Sequence, residues 1–418
     1  MKTWCWTALC AVLLHAFAFS AAAGESTSLR IVDRSLSPTQ PGWYNALYVE
    51  ASGPKLRSDD QVSADNGRTW QSKPMRPDYA AGLPYGYRRE FVMSALDPIT
   101  GRLISLFNSL DTPGLDPKAH EPPIAQQTYY LRYRVSGDHG QTWAFDEPIM
   151  QGAPYTPQHP FDGLWVGTNA VYIGDLGSIP ITTRTGKVLV PAQMTPLGSD
   201  GKLLNPMGGL TYTDALVLIG TWTNGQRLAW QASTHVAGDP KLTARGLIEP
   251  TLAELPDGRI LMVMRGSNGG KADPRYALPS YKWFALSKDG GYTWSKPLPW
   301  AFEDGKPFFS PSSMSALFRH STGRYFWSGN LCETNCQGNR PRWPVVVAEV
   351  DLKTLGLKRS SLLMVDTLQP EDSSRSRVDI SHMTMLEDRE NRQIVLAYPR
   401  AYNGYKSREW ATVRLGLK

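Results

Sequence analysis

Apolar residues in this chain come in short runs bounded by Gly, Pro, Asp or Asn. After the first 23 residues no 3.6-residue period is sustained. Four of the runs follow a turn and a basic residue: Thr100-Gly101-Arg102-Leu103-Ile104, Thr185-Gly186-Lys187-Val188-Leu189, Asp257-Gly258-Arg259-Ile260-Leu261 and Thr322-Gly323-Arg324-Tyr325-Phe326. Each predicts a tight hairpin between two strands. A second pattern, S-x-D-x-G-x-T-W, occurs at Ser63–Trp70, Ser136–Trp143 and Ser287–Trp294. Its Asp can accept the backbone amides of its own turn, and its Gly supplies a positive φ. Thr then returns the chain to an extended strand, and Trp offers a large apolar surface to a neighbouring unit. Two interlocked repeats predict a repeat architecture of antiparallel strands with almost no helix.

The S-x-D-x-G-x-T-W stretch resembles the Asp-box of the sialidase superfamily, whose members are β-propellers. That resemblance implies an all-β, six-bladed β-propeller in which the boxes are structural hairpins. Worn copies stand at Trp222-Thr-Asn224-Gly225 and Glu349-Val-Asp351-Leu-Lys-Thr354. With the four turns taken as hairpins between inner strands, blades fall near 28–76, 85–150, 160–235, 245–300, 308–360 and 362–418. The count becomes seven if the long N-terminal part divides. Strand exchange between the first and last blades would close the ring and remove open edges.

Composition agrees with this picture. At 418 residues and 41% apolar, the chain can bury a large core, and 37 Gly, 32 Pro, 14 Trp and 18 Tyr suit many short strands. Length alone would predict two domains, but a repeat fold overrides it. The net charge of +6 is spread without a basic run. That disfavours nucleic acid and leaves both ordinary solubility and a basic cleft for an acidic glycan open. Residues 1–23 read as a secretory signal, with Lys2, the apolar run Ala8–Phe19 and the small residues Ala21-Ala22-Ala23. The run is too short to span a membrane, and none later is longer. The expected product is one exported domain, 24–418, secreted or periplasmic, acting as a monomer. Cys5 and Cys10 leave with the signal; Cys332 and Cys336 could close a small loop in an oxidising compartment.

Candidate chemistry rests on Glu249-Pro-Thr-Leu-Ala-Glu254-Leu-Pro-Asp-Gly-Arg-Ile-Leu-Met-Val-Met-Arg265. It resembles the sialidase segment in which a buried Glu begins one strand and an Arg ends its hairpin partner. In that family the Glu polarises a catalytic Tyr, and the Arg belongs to a triad holding the substrate carboxylate. The resemblance puts Glu249 and Arg265 in those roles, against the plainer reading of a salt bridge bracing a hairpin. For the first triad arginine it points to Arg88, with Arg89 as rival, in Tyr87-Arg88-Arg89-Glu90-Phe91. For the third it points to Arg342 or Arg340 in Asn339-Arg340-Pro341-Arg342-Trp343.

Two departures change the expectation. The family's acid/base Asp has no counterpart in register, where only Asp111, Asp116, His120 and Glu121 are neighbours. Where the nucleophilic Tyr would open the last inner strand, the chain has Asp379-Ile-Ser381-His382, with Tyr398, Tyr402 and Tyr405 further on. A hydrolase of the sialidase kind, removing a terminal acidic sugar, is the first expectation. A propeller polysaccharide lyase is the second, since His120, His159 or His382 could abstract a proton acidified by a neutralised uronate. A non-catalytic glycan-binding propeller is the third. No phosphate loop, dinucleotide fingerprint or zinc motif calls for a cofactor. Structural calcium on loop carboxylates such as Asp111 and Asp116 stays open.

Overall fold

The computed structural model describes residues 28–59, 61–73, 88–110 and 124–418. The expected signal segment therefore lies outside the described residues. Within them the short apolar runs pair antiparallel into six small sheets, set in a ring as a six-bladed β-propeller. The four turns do join inner strands. Asp97 faces Arg102 across the first, Thr182 faces Val188, Glu254 faces Ile260, and Arg319 faces Tyr325.

Each sheet is covered on both faces by its neighbours, so several of its inner strands read as continuous apolar runs rather than alternations, while outer strands such as Arg227–Ala232 alternate. Ile260–Arg265 and Val345–Glu349 are buried at every residue. Between the second and third blades, Leu106, Tyr133, Val190, Leu218 and Trp230 form one such cluster. The first and second blades meet differently: Arg57 and Arg134 lie over the ring of Trp143, 5.4 and 4.4 Å from its centre. The Trp of the motif thus acts as a platform for two cations as well as an apolar wedge.

The three S-x-D-x-G-x-T-W copies share one geometry. In the second, Asp138 accepts the amide of Thr142 at 2.9 Å and its hydroxyl at 2.6 Å, while Ser136 Oγ accepts the amide of Gly140 at 2.7 Å. His139 and Gly140 both take positive φ, 62° and 80°, as do Asn66 and Gly67 in the first copy. Two successive left-handed residues reverse the chain in the sense that matches strand twist. Every copy follows the third strand of its blade, ending at Ser63, Ser136 or Ser287. The opposite ends of those strands face the other side of the ring.

The N-terminal strand Leu29–Ser37 closes the ring by pairing with Ser407–Leu417, Leu29 opposite Leu417 and Ser37 opposite Trp410. A buried ionic network holds the seam. Asp366, ending a fifth-blade strand, accepts from Arg400 Nη1 at 2.5 Å, from Arg34 at 2.9 Å and from the Tyr398 hydroxyl at 3.1 Å. Arg400 also donates to Asp372. Cys332 and Cys336 are both free thiols. Removing one member of a buried ionic network leaves its partners charged and unpaired. Arg400→Ala is therefore expected to lower stability by about 3–5 kcal/mol in chemical denaturation; a loss under about 1 kcal/mol would show that the seam does not depend on it.

Candidate active site

The site forms where the innermost strands are interrupted. In the third blade, Val171–Tyr172 and Ile181–Thr182 pair with the same neighbour, Val188–Met194, and the chain between them carries Gly174 and Asp175. In the fourth, the pairing slips between Ile248 and Thr251, and Glu249 bulges out at φ 49°. In the sixth, Val378–Ile380 and Thr384–Asp388 pair with one strand, and His382 sits in the gap at φ 59°. A non-glycine residue at positive φ is strained unless its surroundings hold it. Each break turns a side chain out of the sheet into the mouth of the ring. Gly174 permits the close packing, since a Cβ there would lie 2.8 Å from Glu249 Cγ. Gln193 Oε1 accepts the Glu249 amide at 2.7 Å and fixes the bulge.

These side chains line a cavity of about 630 Å³ with Arg245, Arg265, Arg342, Arg377, Tyr129, Tyr172 and Tyr405. That size suits a sugar-sized ligand. Arg265, ending its strand, donates from Nη1 to Glu249 Oε1 at 2.5 Å, from Nε to Ser312 Oγ at 2.8 Å and from Nη2 to Asn339 at 3.2 Å. Glu249 Oε2 is buried with no hydrogen-bond partner. Arg342 donates to the Tyr405 hydroxyl at 2.8 Å. Arg245 donates to Thr211 Oγ1 at 2.6 Å. Neither Arg245 nor Arg342 has a carboxylate partner among the described residues. Arg377 pairs with Asp379 at 2.6 Å. The mouth therefore carries more positive than negative charge, the field an acidic ligand requires.

Its two carboxyls differ in electrostatic setting. Burial opposes ionisation of Glu249, but the Arg265 guanidinium more than offsets it and holds the acid below its usual range. Asp175 is pushed up, chiefly by burial and further by the Glu249 charge, against the pull of His382. His382 Nε2 lies 3.4 Å from Asp175 Oδ2, and its Nδ1 is 2.8 Å from Ser381 Oγ. Burial and nearby Arg265 lower Arg245 to about 10, which leaves it charged at neutral pH. Behind the clamp, burial and Arg265 lower Lys282 to about 7 while its amine donates to the Ser313 carbonyl. Burial raises Tyr405, so its phenol stays protonated beside Arg342.

Of the residues singled out in sequence, Glu249, Arg265, Arg342 and His382 line this cavity. Arg340 lines an adjoining one. The backbone of Arg88 opens the strand Arg88–Asp97 at the mouth end of the second blade, and its side chain is outside the described residues. Asp111, Asp116, His120 and Glu121 also fall outside them. His159 stacks on Trp165 at 3.6 Å in the loop before the third blade, and His139 bonds to the Val49 carbonyl. Glu249 is bonded to Arg265 and to no tyrosine among the described residues. Sequence reasoning did not single out Asp175 or Arg245. Asp175 had one signal, a Gly-Asp step directly after a short apolar strand; Arg245 had only its place four residues before Glu249.

No family model matches the chain, and no curated protein matches it. Solved structures do. A protein of unknown function from Dyadobacter fermentans aligns over 94% of this chain and 100% of its own, with TM-score 0.56 and 13% identity. The NanB sialidase of Streptococcus pneumoniae aligns over 93% of this chain and 70% of its own, with TM-score 0.55 and 13% identity. A leech intramolecular trans-sialidase, solved with 2,7-anhydro-Neu5Ac, aligns over 94% and 68%, with TM-score 0.53 and 13% identity. At such identities the likeness speaks for the fold and leaves chemistry to the residues in the mouth. The chain has the fold of the sialidases, a six-bladed β-propeller.

Proposed function

We propose that this protein is an exported glycoside hydrolase that removes a terminal acidic sugar from a glycan. The observation that carries the reading is an arginine cluster facing two carboxyls in different settings, Glu249 bonded to the Arg265 guanidinium and Asp175 beside His382 with its pKa raised. Carboxyls pushed apart in this way are what acid-assisted glycoside cleavage needs. Arg265 and Arg342, with Arg245 beside them, hold the sugar carboxylate. Asp175 gives its proton to the glycosidic oxygen as the bond to the anomeric carbon breaks. Glu249 stabilises the positive charge developing there. A water molecule then bonds through its oxygen to the anomeric carbon and returns a proton to Asp175. The leaving sugar thus carries away the first proton, and the released acid carries the hydroxyl.

A second reading, β-elimination on a uronate, is favoured by two contacts. His382 beside Asp175 could serve as base, with Tyr405, hydrogen-bonded to Arg342, as acid. Product analysis separates the two. Incubated with sialosides and with uronate polysaccharides, the protein should release free acidic sugar without the ultraviolet absorbance of an unsaturated uronate. New absorbance would overturn hydrolysis in favour of elimination, and binding without product would leave only a lectin. Arg265→Ala should cost at least about thirtyfold in kcat/KM, the low end of about 2–5 kcal/mol for breaking a buried charge pair; retained activity would misplace the clamp.

The role of Asp175 gives a separate test. A general acid fails as pH rises through its pKa, and here that pKa is raised, so the rate should fall on the alkaline side. Asp175→Asn should flatten that limb. It should also slow natural glycosides by about 100-fold or more while sparing aryl glycosides, whose leaving groups need no proton. An equal loss on both substrates would remove Asp175 from that role.

A further inference from the structure

Beside the clamp lies a second cavity of about 610 Å³ that the proposed reaction does not use. The two share Leu210, Arg245, Asn339 and Arg377 as a common wall. Beyond that wall the second is lined by Arg340, Tyr276 and the glycine-rich segments 208–209 and 269–270. No acidic side chain lines it. Arg340 is exposed and has no carboxylate partner among the described residues.

This cavity is held open by the protein itself. Asn268 accepts the Gly338 amide at 2.8 Å and donates to the Cys336 carbonyl at 2.7 Å, lacing the two wall loops together. Asp273 accepts the amides of Gly269 at 2.8 Å and Ala277 at 2.7 Å, so its charge is spent inside its own loop. Asn335 donates to the Tyr276 carbonyl at 3.0 Å. Tyr276 is held at φ 55° with 36% of its surface exposed. Its ring packs against Gly269, where any Cβ would approach to 2.5 Å. An immobilised, part-exposed aromatic ring beside an unpaired guanidinium suits a sugar that carries an anionic group.

We propose that this second cavity is a subsite for the next residue of the substrate, seating a sugar ring on Tyr276 and a carboxylate or sulfate on Arg340. The inference rests on the reading of the first cavity as a carboxylate clamp. It makes the preferred substrate a glycan with two acidic groups on neighbouring residues, rather than one acidic sugar on a neutral chain. Arg245, which lines both cavities, stands between the two acidic groups.

Calorimetric titration of the mature protein tests this with paired ligands: sialic acid against α2,8-linked disialic acid, galacturonic against digalacturonic acid, and 3′-sialyllactose against its galactose-sulfated form. In at least one pair the second acidic group should tighten binding by about tenfold or more, as a charge-assisted contact would. The pair that responds identifies carboxylate or sulfate. Arg340→Ala should bring that ratio close to one, Tyr276→Ala should reduce it, and Arg265→Ala should weaken both members together. Binding of the single acids with no gain from a second, or a gain that survives Arg340→Ala, would overturn the subsite while leaving the clamp in place. Failure of every acid to bind would overturn both.

Discussion

The site depends on one buried contact, the pair between Glu249 and Arg265. Both side chains are more than nine-tenths buried, at 2.5 Å from each other. Neither charge could stay there without the other, since an unpaired ion in such surroundings costs several kcal/mol (about 3–5 by removal of one partner). Arg265 holds Glu249 below its usual range against burial. Burial is the main cause that raises Asp175 and lowers Arg245 and Lys282, and the Glu249 and Arg265 charges act on each of them in opposite senses. Ser312 ties the clamp together, accepting from Arg265 through its hydroxyl and from Arg342 through its carbonyl at 3.5 Å.

A propeller suits this arrangement because its two faces do different work. One face carries the S-x-D-x-G-x-T-W turns, which close on their own hydrogen bonds and present Trp between blades. The other carries strand breaks at Asp175, Glu249 and His382. Such breaks forfeit ladder hydrogen bonds and strain the backbone, and they survive because the second strand of each blade continues past them. Val188–Met194 and Gln393–Tyr402 each span the gap beside them, which holds the broken inner strand in register.

The fold was legible because its cause is local and repeated. A turn such as Thr322-Gly323-Arg324 or Ser136–Trp143 needs its particular residues wherever it occurs, so it appears as a pattern. Glu249 and Arg265 were legible for a related reason, lying at facing ends of one hairpin. Asp175 and Tyr405 meet them only through the ring, from loops far apart in sequence, and no spacing announces such a meeting; Arg245 stands four residues before Glu249 but belongs to neither repeated pattern. The choice between Arg340 and Arg342 shows the same limit. Two residues apart, they enter different cavities because Arg342 turns to Tyr405 while Arg340 stays at the rim of the next pocket. The seam, too, had a signal only for the closing strand; the Asp366 network behind it unites residues from three strands.

The central claim is that the arginines of the mouth hold a carboxylate. The most direct measurement is the affinity of one acidic sugar set against that of its methyl ester, which keeps shape and loses charge. Binding of the acid should exceed that of the ester by at least tenfold, consistent with about 1.5–3 kcal/mol for hydrogen bonds to a charged group. In Arg265→Ala the difference should shrink sharply. Equal binding of acid and ester by the wild-type protein would contradict the account.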